Sequence, residues 1–239
     1  MTQDSDRRIL HGFADYGVES EALVAYGVVT RASIDPRPHA YSTAVIADLS
    51  RPDKLPFEEN HFDLALLHPP CTAYSDMPGA NANGEAIDLI DEAREIGRRY
   101  ANHYILENKL GAPLDDPIVL EGRMFGLPIV YERAFETSFP VDQPARNERL
   151  GNPPETSPFF FSERTSDWWR AAKGGVVGDY PKEHLAKNSI PIPYIHHLLR
   201  AWLDATAASE GIRDYSNYDA KMDKRRAEDV NASLQDFVN

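Results

Sequence analysis

In the first half of the chain five short apolar runs break off at small, acidic or turn-forming residues, and the stretches between them are helical or loop-like. The runs are Ile9 to Ala14, Val28 to Ile34, Thr43 to Ala47, Phe62 to Leu67, and one beginning at Tyr104 to Leu106. Strands that alternate with helices are best buried side by side in parallel, with the helices covering the faces of the sheet. The pattern therefore predicts an α/β fold with a mostly parallel sheet. A short helix is expected over Ser20 to Tyr26, and a longer one over Glu85 to Tyr100 with Ile87, Ile90, Ala93 and Ile96 along one face. From Pro128 to Phe139 alternating apolar and polar residues predict paired strands, closing the sheet with an antiparallel element.

Beyond that point the texture changes. Gln143 to Ser166 is rich in Pro, Asn, Glu and Ser around an aromatic group at Phe159, Phe160 and Phe161, and reads as an irregular lobe. A helix over Ile192 to Ala208 follows, with Ile195, Leu198, Leu199 and Trp202 on one face, and Tyr215 to Asn239 forms a polar tail. This divides the chain into a core at 1–142, a small lobe at 143–187, a returning segment and helix at 188–212, and a tail at 213–239.

Composition narrows the class. With 239 residues, 42% of them apolar, the chain can bury one full core. No stretch reaches the length of a membrane span, and the opening MTQDSDRR lacks the pattern of a signal peptide, so no membrane partner and a cytoplasmic location are expected. The single cysteine excludes an internal disulfide and a Cys-cluster zinc site. The net charge of −13, from 21 Asp and 17 Glu against 7 Lys and 18 Arg, argues against nonspecific tracking of phosphates. An Asp-rich, Lys-poor surface of this kind is one that halophiles use, though an ordinary acidic enzyme also fits. Nothing in the sequence sets an oligomeric state.

The strand ends carry the chemistry. In open α/β sheets ligands bind at the carboxyl edge, where a carboxylate closing the second strand can accept hydrogen bonds from ribose hydroxyls. Asp35 has that place, and Asp48 at the end of the third strand could accept from an adenine amino group. Cys71, in HPPCTAYS after the fourth run, is a candidate nucleophile, although a lone cysteine is by default a small buried hydrophobe. Glu107 and Asn108 close the fifth run. His68, His196 and His197 lack metal-ligand company in the sequence and read as structural.

Together PPCTAYS (Pro69 to Ser75), LENKLGAPL (Leu106 to Leu114), MFGLPIVYERAFETSFP (Met124 to Pro140) and KNSIPIPY (Lys187 to Tyr194) resemble, in order and spacing, the motifs of the DNA cytosine-5 methyltransferases, in particular their short phage-type members. The resemblance implies a Rossmann-like S-adenosylmethionine-dependent methyltransferase fold with cytosine-containing DNA as substrate. It implies Cys71 as the nucleophile at carbon 6 of cytosine, Glu107 as the group bonding the ring's amino group and ring nitrogen, Asn108 as a brace of the Cys loop, and Arg133 as a cation near base and thiolate. Phe13, Gly17, Asp35, Asp48, Pro69, Asn188 and Ser189 would hold the cofactor. The chain departs from the family at Asp15 and Val18, where glycines are usual, at Ile129 and Tyr131, where Gln and Arg are usual, and at Lys109, where Val is usual. Only Gln143 to Lys187 is left for target recognition. A noncatalytic binding module on the same fold, or an enzyme acting on cytosine in RNA or free nucleotides, stays open beside the DNA enzyme.

Overall fold

The computed structural model describes residues 7–40, 42–75, 86–148 and 158–210. Seven strands form one sheet: β1 (Arg8–Gly12), β2 (Val28–Ser33), β3 (Thr43–Ile46), β4 (Phe62–Leu67), β5 (Ala101–Asn108), β6 (Ile118–Leu120) and β7 (Arg133–Thr137), in the order β3-β2-β1-β4-β5-β7-β6. The first five run parallel. β7 is antiparallel to both β5 and β6, as the alternation predicts for this part of the chain. The chain leaves β1 for β2 and β3 on one side and returns to place β4 on the other. That reversal makes the carboxyl ends of β1 and β4 the switch point, the place where sheets of this kind take ligands.

Side chains alternate across the sheet and feed two cores. Ile9, Leu64, Leu66, Ile105 and Phe135 face one way, against α1 (Ser20–Leu23), α3 (Ser166–Ala172), α4 (Lys182–Lys187) and α5 (Ile192–Glu210), which contribute Leu23, Trp169, Leu185, Leu198 and Trp202. Leu10, Ala32, Ala65, Leu67 and Leu106 face the other way, against α2 (Ile90–Tyr100) with Ile90, Ala93 and Ile96.

Several boundaries differ from the sequence reading, each for a local reason. β1 stops at Gly12 because Phe13 takes a left-handed backbone, φ 61°, which ends the ladder. α2 starts at Ile90, where the Asp88 carboxylate accepts the Ile90 N–H at 3.1 Å, and Ile87 is left exposed outside the apolar face. Glu85 lies outside the described residues. β5 begins at Ala101, directly where α2 ends. Of Pro128 to Phe139 only Arg133–Thr137 is a strand, because its partner β6 precedes that stretch. The sequence reading has no counterpart for α3 and α4; α3 is capped by Thr165, whose side chain accepts the Trp168 N–H at 3.1 Å, and buries Trp169 completely. α5 buries the predicted Ile195, Leu198, Leu199 and Trp202. The polar tail, Tyr215 to Asn239, lies outside the described residues. Among the described residues no helix is long and apolar enough to cross a membrane.

A buried charge cluster fastens α2 to the antiparallel edge. Arg94 donates through Nε and Nη2 to the Glu136 carboxylate, each at 2.9 Å at closest, and Glu136 also accepts from the Tyr104 hydroxyl at 2.9 Å and the Asp115 N–H at 2.8 Å. Removing one partner of a buried pair leaves the other charge uncompensated. Arg94→Ala is expected to destabilise the fold by about 3–5 kcal/mol, whereas Arg98→Ala, an exposed neighbour, changes stability by less than about 1 kcal/mol in the same denaturant titration.

Candidate active site

The Cys71 loop is tied at both ends to the end of β5. β4 is a buried apolar run that delivers His68, Pro69 and Pro70 to the carboxyl edge, and Cys71, partly exposed, opens a 3-10 turn over Thr72–Tyr74. The Asn108 side-chain amide donates to the Pro69 carbonyl at 3.1 Å. Lys109 Nζ donates to Ser75 Oγ at 2.7 Å. Thus Asn108 and the unusual Lys109 hold the two flanks of the cysteine, and neither prolines nor braced ends leave the loop much freedom.

Beside the loop lies a buried charged pair. Glu107 sits opposite Phe135 across β5 and β7, and Arg133, two residues before Phe135, shares that face. Arg133 Nε is 3.4 Å from Glu107 Oε1, and both side chains are less than a tenth exposed. Glu107 Oε1 accepts no hydrogen bond among the described residues. Burial raises the Glu107 pKa, opposed by Arg133 and His68. Arg133 donates to the Tyr131 hydroxyl at 2.6 Å and to the Lys187 carbonyl at 3.1 Å, and Tyr131 donates to the same carbonyl at 2.6 Å. Burial opposes the Arg133 charge, but Tyr131, Glu107 and Cys71 outweigh it and hold the guanidinium protonated.

The expected cofactor residues line the same edge. Gly17 is left-handed, φ 73°, and a Cβ there would lie 2.5 Å from Arg31 Cδ. Arg31 is buried beneath the loop and donates to the carbonyls of Ala14 and Asp15, each at 3.0 Å, and to Ser42 Oγ at 2.8 Å. Of the two other usual glycine positions, Val18 packs into the core, which accommodates its side chain, and Asp15 is exposed. Asp35, just past β2, is exposed and ion-paired with Arg37 at 2.7 Å. Asp48, two residues past β3, accepts from Ser50 N–H at 3.1 Å and Ser50 Oγ at 2.7 Å, bonds that lower its pKa. Phe13 is half-buried and Pro69 buried. Asn188 caps α4 and is exposed, while the buried Ser189 hydroxyl donates to the Leu185 carbonyl at 2.7 Å. The segment after it returns to the glycine turn: Ile190 N–H donates to Glu19 Oε1 at 2.7 Å.

The structure brings in residues that the sequence reading omitted. Lys173 is fully buried, donates to the Ser189 carbonyl at 2.7 Å, and sits 3.0 Å over the Tyr131 ring. Burial, then Arg133, lowers its pKa well below that of an ordinary lysine. One expectation is corrected. His68 has ligand-type company, since its Nε2 lies 2.8 Å from His11 Nε2 and 4.0 Å from Glu19 Oε2, groups that parallel pairing of β1 and β4 brings together. His196 Nδ1 is bonded to the Tyr26 hydroxyl at 3.1 Å and His197 Nε2 to the Asp142 carbonyl at 2.9 Å.

No family model and no curated protein matches the chain. Among solved structures, the methyltransferase EhMeth of Entamoeba histolytica matches with TM-score 0.52 and 9% identity, over 84% of this chain and 98% of that one. The Dnmt2 methyltransferase of S. pombe matches with TM-score 0.50 and 11% identity, over 83% of this chain and 99% of that one. A prophage-encoded protein of E. coli, described as a DNA modification methyltransferase, matches with TM-score 0.36 and 17% identity; the chain covers 49% of its length, with 57% of this chain aligned. The first two likenesses establish the fold as the Rossmann-like methyltransferase fold.

Wholly and partly buried histidines set the response to acid. His11, His39, His68, His103 and His184 all have pKa values lowered from 6.5, by burial first in each case. A histidine held neutral in the fold is protonated more readily in the unfolded chain, so its contribution favours unfolding as pH falls through 6.5. Glu19 and Glu107, raised by burial from 4.5, act in the opposite sense as pH falls from their folded values toward 4.5. With five groups against two, the melting temperature is expected to drop between about pH 7.5 and about pH 5.5. Calorimetry showing it constant or rising over that interval would contradict the assignment of neutral buried histidines.

Proposed function

We propose that this chain is an S-adenosylmethionine-dependent methyltransferase that methylates carbon 5 of cytosine in DNA through a covalent adduct with Cys71. What supports the reading most is the meeting, at the switch point of this fold, of a partly exposed thiol, the Arg133 guanidinium and a buried carboxyl whose Oε1 accepts no hydrogen bond among the described residues.

Carbon 5 is too poor a nucleophile until the ring is activated. The Cys71 thiolate adds at carbon 6, forming the carbon–sulfur bond, and the displaced electron pair moves toward the ring nitrogen that Glu107 faces. Glu107, biased toward its protonated form by burial, supplies a proton there and bonds the exocyclic amine. Arg133 offsets the negative charge of the thiolate, while Asn108 and Lys109 keep the loop from swinging. The cofactor, when bound, supplies an electrophilic methyl group. Phe13, Gly17, Asp35, Asp48, Pro69, Asn188 and Ser189 would hold it, with the Gly17 turn giving close backbone approach and the outlying carboxylates suited to its ribose and adenine. Once carbon 5 carries the methyl group, a base removes its proton, the freed electron pair re-forms the carbon 5–carbon 6 double bond as the carbon–sulfur bond breaks and the thiolate leaves, and the ring nitrogen returns its proton to Glu107. Duplex substrate must have its target base rotated out of the stack.

Label transfer from S-adenosylmethionine to cytosine-containing DNA, assayed at low and high salt, is expected to disappear in Cys71→Ala. Glu107→Gln should lower kcat by about 10²- to 10⁴-fold with its fold intact. DNA carrying 5-fluorocytosine should trap a covalent complex with the unmodified chain and not with Cys71→Ala. Equal transfer by Cys71→Ala would refute the covalent route.

A further inference from the structure

The switch point has a second group of side chains that the methyl-transfer reading does not use. His11 is on β1 and His68 just past β4; His11 pairs with Leu66, and residues two apart along a strand share a face, so both imidazoles project on the same side of the sheet. Glu19, immediately before α1, reaches the same point. His11 Nε2 lies 2.8 Å from His68 Nε2 and 3.6 Å from Glu19 Oε2, and the third edge, His68 Nε2 to Glu19 Oε2, is 4.0 Å. His11 and Glu19 are buried, and His68 is 16% exposed, so solvent reaches the cluster on the His68 side.

We propose that His11, Glu19 and His68 form a binding site for a divalent transition metal ion of the zinc class, with its remaining coordination position open on the His68 side. Two imidazoles and one carboxylate are a ligand set that zinc uses where a position is left for water. Metal–ligand bonds of ~2.0–2.2 Å in tetrahedral geometry put ligand atoms ~3.3–3.5 Å apart. The observed edges bracket that span, and an ion is seated by shifts of ~0.5 Å that part the imidazoles and draw in the carboxylate. Both buried ligands are held from behind, as metal ligands characteristically are. His11 Nδ1 is bonded to Ser20 Oγ at 2.8 Å, which leaves Nε2 facing the cluster, and Glu19 Oε1 accepts the Ile190 N–H at 2.7 Å, which leaves Oε2 facing it. The bound ion would brace the turn carrying Phe13 and Gly17 against the end of β4 that carries Pro69 and Cys71.

The proposal is independent of methyl transfer and is read by metal uptake alone. The full chain, stripped with a chelator and dialysed, is titrated with Zn²⁺ by calorimetry and with Co²⁺ by visible absorption. One ion per chain is expected, with the intense visible bands of four-coordinate cobalt. His68→Ala and Glu19→Gln should each weaken Zn²⁺ binding by at least ~100-fold, and Ser20→Ala by about 10- to 100-fold. His103→Ala, outside the cluster, should bind as the unmodified chain does. Circular dichroism checks the folding of each variant, and His68→Ala, at the most exposed ligand, keeps the test usable if Glu19→Gln does not fold. No uptake by the unmodified chain would overturn the proposal and assign the short His11–His68 contact to a shared proton. Uptake undiminished in a folded His68→Ala would overturn it equally.

Discussion

Ionisable groups buried at the carboxyl edge of the sheet are the constraint around which this molecule is arranged. Glu19, Glu107, Arg133 and Lys173 are all nearly or wholly removed from solvent, and moving any one ion from water into a protein interior costs several kcal/mol unless opposite charge and hydrogen bonds compensate. Compensation comes from groups distant in sequence: the Lys187 carbonyl for Arg133, the Ser189 carbonyl for Lys173 and the Ile190 N–H for Glu19. The strands that carry the acids and the segment that carries these partners must be in place together. A pocket built this way is already organised before any ligand enters, which is the condition for electrostatic stabilisation of a developing charge.

The antiparallel strand β7 gives the pocket its cation. A parallel strand at that place would need a long crossover, whereas β7 turns back from β6 and begins with Arg133 on the face that Glu107 shares. Just before it, Tyr131 adopts a left-handed backbone, φ 48°, an unfavourable conformation for a bulky residue that persists because its hydroxyl, its ring and the neighbouring guanidinium are all engaged. Tyr131 thus supplies the contacts that orient Arg133 and covers Lys173 with its ring.

What could be read in the sequence follows from how each signal is written. Phe62 to Leu67 and Tyr104 to Leu106 are continuous apolar runs, so the strands that end near Cys71 and Glu107 stand out, and so does the α5 stripe of Ile195, Leu198, Leu199 and Trp202. Lys173 does not stand out, because a lysine near the end of WWRAAK looks like a solvated cation closing a helix, and only the packing of Trp169 and the approach of Ser189 bury it. Glu19 looks like an ordinary acid ahead of a helix. His11 and His68 are far apart in sequence and meet only through the pairing of β1 with β4, which no local pattern encodes. The helix reading over Glu85 to Tyr100 erred at its start because Ile87 continues the apolar spacing while Asp88 ends the helix by taking a backbone N–H.

The order in which the chain is made gives the returning segment a further significance. A nascent chain that has emerged as far as β7 already contains all seven described strands with Cys71 and Glu107, yet Arg133 still lacks its carbonyl acceptor and Glu19 its amide donor, because Lys187 and Ile190 have not been synthesised. The sheet can assemble during translation while the hydrogen bonds that compensate Arg133 and Glu19 at its carboxyl edge are still incomplete.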